Sequence, residues 1–204
     1  MIDKDLLSII EEGYKRRIKH FEMEKNKYDI VLAGDSLIAF MPVNKLFPNL
    51  SIMNQGISGD TTKGLHERIK YIIKVPPKKV FINIGSNDLV ILNSRPMMIV
   101  QNIMNIVDDI KQENDKIEVF IFTVTPVNPD LKISNQNFIF GRTNEDIRHI
   151  NELIYQTFDK NIILNIHDLV VDDKMKLAEK YTSDGIHFND LGYTIYQSLI
   201  QNKL

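Results

Sequence analysis

Five short runs rich in β-branched and aromatic residues recur along the chain, and segments with the apolar spacing of helices lie between them. The runs are Tyr28–Ala33, Leu50–Asn54, Lys79–Ile84, Ile117–Val124 and Asn161–Ile166. Short apolar runs bounded by glycine, proline or polar residues read as strands buried on both faces. Helical spacing covers about residues 2 to 25 (Ile2, Leu6, Ile9, Ile10, Tyr14, Ile18, Phe21), then Thr61–Ile73, Pro96–Gln112, Thr143–Phe158 and Asp190–Ile200. Pro96 suits a first helical position, and Pro76-Pro77 closes the second helix because proline cannot continue one. Strands alternating with helices predict an α/β fold with a parallel sheet covered on both faces. No repeat, low-complexity tract or linker interrupts the pattern. The expectation is one domain over residues 1–204, with a helix in residues 1–25 and a core over 28–204.

The first three runs each lead into a polar block, Gly34-Asp35-Ser36-Leu37, Asn54-Gln55-Gly56 and Gly85-Ser86-Asn87-Asp88, and a fourth block, Asp184-Gly185-Ile186-His187, lies near the C-terminus. In an open parallel sheet the ends of such runs collect at one edge, where active sites form. Together the blocks supply a hydroxyl nucleophile, two oxyanion donors, a base and a carboxylate to orient it, which is the equipment of acyl transfer.

Each block also has a plainer reading. Ser36 at a helix start is either a nucleophile or an N-cap. The Gly-x-Ser-x-Gly elbow is absent, because Ile38 holds its last position. His187 as base would accept a proton through neutral imidazole, and Asp184, three residues earlier, can reach Nδ1 and leave Nε2 for Ser36. The alternative makes His187 an exposed loop histidine and Asp184 or Ser183 a turn residue. His20, His66 and His149 fall on solvated helix faces, and His167-Asp168 is the rival pair. Candidate oxyanion donors are the Ser36 amide, the Gly56 amide and the Asn87 side chain; otherwise Gly56 is a turn and Asn87 a loop cap. Asp88 reads as structural, and Asp60 with Thr61-Thr62 as a helix start.

Charge adds exclusions. With 25 basic and 27 acidic residues the net charge is −2, which gives no electrostatic reason to expect nucleic acid or an anionic membrane. The absence of cysteine removes disulfides and thiol nucleophiles. No phosphate-cradling or dinucleotide glycine motif occurs, and the scattered histidines suggest no zinc cluster, so no cofactor or metal is expected. No run approaches the roughly 18 apolar residues of a spanning helix, so no membrane insertion is expected and the expected location is cytoplasmic. The long irregular segment Pro126–Gly141 follows a strand and should leave from the same edge as the blocks. Phe138, Ile139 and Phe140 either anchor it at the substrate pocket or plug it onto the core.

On these four blocks the chain resembles the SGNH hydrolases, also called the GDSL esterase/lipase family, over about Tyr28 to Leu199. The resemblance implies a three-layer α/β/α sandwich of flavodoxin type with five parallel strands. It implies Ser36 as nucleophile, Asp184 and His187 as the rest of a triad, and an oxyanion hole of Ser36, Gly56 and Asn87. The short loops look similar to the compact bacterial branch and to acetylhydrolases of the platelet-activating-factor type. The expected reaction is metal-independent hydrolysis of a small-molecule ester through an acyl-enzyme. Because few bulky apolar loops flank the blocks, a short acyl group, such as acetyl on a sugar or other small alcohol, is favoured. The alternatives are a lysophospholipase or thioesterase of the same family, and a non-catalytic carbohydrate- or protein-binding module. A homodimer would fit the family, and the N-terminal helix lies outside the signature, with packing or self-association as its suggested role.

Overall fold

Runs that are apolar on both faces must be covered on both, and the sheet they form is parallel throughout. The computed structural model describes residues 4–130 and 132–204; Ile2 of the first predicted helix lies outside them. The strands are β1 (Ile30–Gly34), β2 (Ile52–Gly56), β3 (Lys79–Asn83), β4 (Glu118–Phe122) and β5 (Ile163–Leu164), ordered β2-β1-β3-β4-β5. This is the flavodoxin-like order, in which β1 has its sequence neighbours on opposite sides and a crevice opens at the strand C-termini. Four long helices flank the sheet: α1 (Lys4–Met23), α2 (Pro96–Glu113), α3 (Asn144–Thr157) and α4 (Asp190–Gln201).

Side chains alternate across the sheet, so each strand feeds two cores. Val31, Ala33, Val80, Ile82, Val119 and Ile121 pack with isoleucines of α2 and α3 and with Phe21 of α1. Leu32, Phe81, Phe120 and Phe122 face the opposite layer and pack with Tyr193, Tyr196 and Ile200 of α4. Phe122 meets Tyr196 edge to face at 4.8 Å, a favoured aromatic geometry.

Three boundaries differ from the sequence reading, each for a physical reason. The second strand runs on past Asn54 through Gln55 and Gly56, because these two pair in register with Ala33 and Gly34. The fifth strand shrinks to Ile163–Leu164, since Lys160–Ile162 winds into a 3₁₀ turn capped by Asp159. The predicted helix Thr61–Ile73 is two helices, Thr62–Glu67 and Ile69–Ile73, broken at Arg68. Arg68 leaves helical geometry (φ −111°, ψ 10°) and turns its side chain inward. Its Nε and Nη2 both donate to Asp60 Oδ2 at 2.8 Å, and Nη2 reaches Gly34 O at 3.2 Å. Both partners of this ion pair are 1% exposed. Among the described residues no helix is long and apolar enough to cross a membrane.

A buried pair of this kind is most costly when half of it is removed. Arg68→Met should lower unfolding stability by about 3–5 kcal/mol. The double variant Arg68→Met/Asp60→Asn should recover much of that loss, as measured by chemical denaturation. If the double variant is less stable than the single one, the lone charge is not what destabilises it.

Candidate active site

At the end of β1 the chain turns directly into a one-turn helix, Ser36–Ala39. The N-cap is Asp35, whose Oδ1 accepts from Leu37 N at 3.0 Å, so Ser36 is the first helical residue and its hydroxyl is not used for capping. Two glycines let this helix sit close against the strand ends. A Cβ on Gly34 would lie 2.0 Å from Asn83 O, and one on Gly56 would lie 2.1 Å from Ala39 N.

The second half of the site is a turn. Asp184 Oδ1 accepts from Ile186 N (3.0 Å) and His187 N (2.7 Å), and Thr182 Oγ1 donates to His187 O at 2.7 Å. Gly185 sits at φ +85° within it, a left-handed conformation that glycine adopts without strain. The other carboxylate oxygen, Asp184 Oδ2, lies 2.7 Å from His187 Nδ1, and His187 Nε2 lies 3.0 Å from Ser36 Oγ. Burial opposes ionisation of Asp184, but hydrogen bonds from the His187 ring and the two amides outweigh it and hold the carboxyl at about 2. An ionised Asp184 can only accept, so His187 Nδ1 carries a proton, and in the neutral imidazole Nε2 is then left to accept from the Ser36 hydroxyl. Phe40 and Phe138 both meet the imidazole edge to face, at 5.1 and 5.3 Å.

Asn87, after β3, donates from Nδ2 to Asp60 O at 2.9 Å and caps no helix with its side chain. Its Oδ1 accepts from Arg142 Nη2 at 2.5 Å. Arg142 also donates from Nε to Ser86 Oγ at 3.0 Å and from Nη1 to Phe138 O. No motif marked this arginine, because its partners converge only in three dimensions. Asp88 is structural as expected: its carboxylate accepts from the amide and hydroxyl of Thr62.

Gly56 departs from its expected part. It lines the cavity, but its amide donates to Asn54 Oδ1 at 2.9 Å, so that hydrogen is committed inside the protein. What the position requires of glycine is the close approach to Ala39. Three residues later Gly59 also lines the cavity, at φ +77°, in the turn whose Asp60 carbonyl holds Asn87. The rival pair is elsewhere: His167 is 4% exposed, its Nδ1 lies 2.9 Å from Asp168 Oδ1, and it does not line the cavity.

Pro126–Gly141 brackets the turn, with Asn128 N donating to Gly185 O and Asn135 N to Asp184 O, each at 2.8 Å. It contains a short helix, Gln136–Ile139. Its three apolar residues divide: Phe138 lines the cavity, Ile139 is buried in the core, and Phe140 is 60% exposed. The cavity measures about 730 Å³. Its wall is more apolar than the sequence suggested, because Ile9 and Ile10 of α1 and Val90 and Ile91 join Phe40 and Phe138.

Residues 34–195 match the model of the GDSL-like lipase/acylhydrolase family. A Streptococcus pneumonia protein named for platelet activating factor superposes with a TM-score of 0.83 at 22% identity, over 97% of this chain and 94% of that one. An acetyl xylan esterase superposes with a TM-score of 0.68 at 16% identity, over 86% of this chain and 98% of that one. The N-acylneuraminate cytidylyltransferase of Escherichia coli is 29% identical over 177 residues, 84% of this chain. The chain spans 39% of that protein's length.

Asp35, beside Ser36, is 3% exposed, and burial pushes its carboxyl up to about 7. An unfolded aspartate titrates near about 3.9. Between about pH 4 and 7 the folded protein therefore retains a proton that the unfolded chain has released, and stability falls as pH rises through that window. Asp35→Asn keeps an acceptor for Leu37 N and removes this slope. Its gain in melting temperature over the wild type should be larger at pH 8 than at pH 5. An equal difference at both values would mean that Asp35 carries no such penalty.

Proposed function

The chain belongs to the GDSL-like lipase/acylhydrolase family, and from that premise we propose that it is a serine esterase removing short acyl groups, foremost acetyl, from a sugar or other small alcohol. The observation that carries this reading is the line Asp184–His187–Ser36 at the cavity wall, with contacts of 2.7 and 3.0 Å. Ser36 Oγ attacks the ester carbonyl carbon as its proton passes to His187 Nε2, and ionised Asp184 stabilises the resulting imidazolium. The tetrahedral intermediate collapses by expelling the alcohol, which takes the proton from His187. Water then attacks the acyl-enzyme with His187 again as base, releasing the acid and restoring Ser36. The oxyanion rests on the Ser36 amide, the Asn87 side chain and the Gly59 amide, the last in place of the committed Gly56 amide. Arg142 fixes the orientation of Asn87 by occupying its Oδ1.

Two comparisons support a carbohydrate alcohol, since one protein is named as an acetyl xylan esterase and another for N-acylneuraminate. The apolar wall favours a second reading, a longer acyl chain. A volume of about 730 Å³ lies within the range of about 300–1,000 Å³ typical of small-molecule sites.

Ser36→Ala should lower kcat on p-nitrophenyl acetate by about 10⁴–10⁶-fold with little change in melting temperature. Near wild-type turnover would remove Ser36 from the chemistry. In the wild type, kcat/KM should be highest for acetyl in a series of p-nitrophenyl esters from acetyl to decanoyl. A maximum at eight or more carbons would select the long-chain reading.

A further inference from the structure

The cavity has a wall that the matched family segment, residues 34–195, does not include. Helix α1 contributes Ile9, Ile10, Gly13, Arg16 and Arg17 to the lining. Their spacing places them on one helical face. Three arginines line the cavity, Arg16, Arg17 and Arg142, against one carboxylate, Asp184, which is engaged by His187. Among the described residues none of the three arginines forms an ion pair, although neighbouring Lys15 pairs with Glu11.

The three differ in what they have left to offer. Arg142 has all three nitrogens engaged by Ser86, Phe138 and Asn87. Arg17 is held in place but not used up: Nε donates to Gly56 O at 3.1 Å and Nη2 to Asn54 O at 2.6 Å, and the guanidinium lies 4.7 Å from the Phe21 ring centroid. Its Nη1 group remains to meet a ligand. Those carbonyls belong to the end of β2, which packs on the helix carrying Ser36, so the bound arginine is fixed beside the site. Arg16, one residue earlier, is exposed and lines the cavity from its rim. Gly13 lies between the isoleucines and the arginines on the same face, and a Cβ there would meet nothing within 4 Å. Glycine inside a helix weakens it, and no packing contact calls for it here. Its effect is to leave an open gap against the helix backbone.

We infer that the α1 wall reads a negative charge on the substrate: Arg16 and the free end of Arg17 receive a carboxylate or phosphate on the alcohol part of the ester, whose body lies over Gly13. Guanidinium groups form charge-assisted, planar hydrogen bonds with either anion. An unneutralised arginine pair at the mouth of a largely apolar cavity favours an anionic ester over its neutral counterpart. This inference rests on the esterase reading for the identity of the ester, but its test does not require turnover.

The test is binding to the Ser36→Ala protein, measured by calorimetry at low salt in an amine buffer. Three probes are compared: acetylated glucuronate, acetylated glucose 6-phosphate and acetylated glucose. At least one anion should bind about five- to tenfold tighter than the neutral sugar, and the tighter of the two identifies the group. Adding Arg16→Glu, on an exposed helix position where folding is not at risk, should collapse that ratio to about one. Adding Arg17→Lys, which keeps the charge but not the planar fork, should reduce it partway. Equal binding of all three probes, no binding of any, or a ratio that survives Arg16→Glu would each overturn the inference. Hydrolysis of p-nitrophenyl acetate by the wild type separately reports whether the esterase reading stands.

Discussion

One hydrogen bond, between Ser36 Oγ and His187 Nε2 at 3.0 Å, joins residues 151 positions apart, and the proposed chemistry depends on it. Its direction depends on the bond behind it, because only an ionised Asp184 forces the His187 proton onto Nδ1. The two ends are positioned by independent devices. Ser36 is held by the end of β1, the Asp35 cap and glycines that permit close backbone approach. His187 is held by a turn with its own carboxylate and hydroxyl partners, bracketed by the loop Pro126–Gly141. The parallel sheet brings the two together: its strand order leaves a crevice where β1 and β3 end.

Beneath the line lies a layer of buried polar groups that weighs on stability. Asp60 and Arg68 form a fully buried pair whose guanidinium also reaches Gly34 O at the end of β1. Asp88 ties the third block to Thr62, and Asn83 accepts from Tyr196 Oη at 2.6 Å. Burial drives Asp35 and Asp88 up, to about 7 and about 6, so ionising them opposes folding. The same layer sets the geometry. The Asp60 carbonyl holds Asn87 from one side, and Arg142 holds it from the other. In the proposed mechanism, groups so tethered need little rearrangement when charge develops on a substrate oxygen, which is the physical basis of preorganised stabilisation.

The fold was legible because strands buried on both faces leave continuous apolar runs, and those runs need no partner to be recognised. Ser36, Asn87, Asp184 and His187 were legible as blocks at the ends of such runs or on one tight turn. What escaped the reading depends on partners distant in sequence. The break at Arg68 is caused by Asp60, and a helical pattern cannot reveal that a side chain must turn inward. Gly56 and Gly59 look alike in sequence, whereas an Asn54 side chain occupies one amide and the other glycine precedes Asp60, whose carbonyl holds Asn87. Arg142 follows an irregular loop with no motif around it. The cavity wall of α1 was invisible for a related reason: a helix displays which face is apolar but not what that face covers.

Activation of Ser36 by His187 can be read out by labelling the protein with a fluorophosphonate and mapping the adduct by peptide mass spectrometry. One stoichiometric adduct is expected, on Ser36, and it should be lost when His187 is replaced by alanine. No adduct, an adduct on another residue, or labelling that persists at full rate without His187 would contradict it.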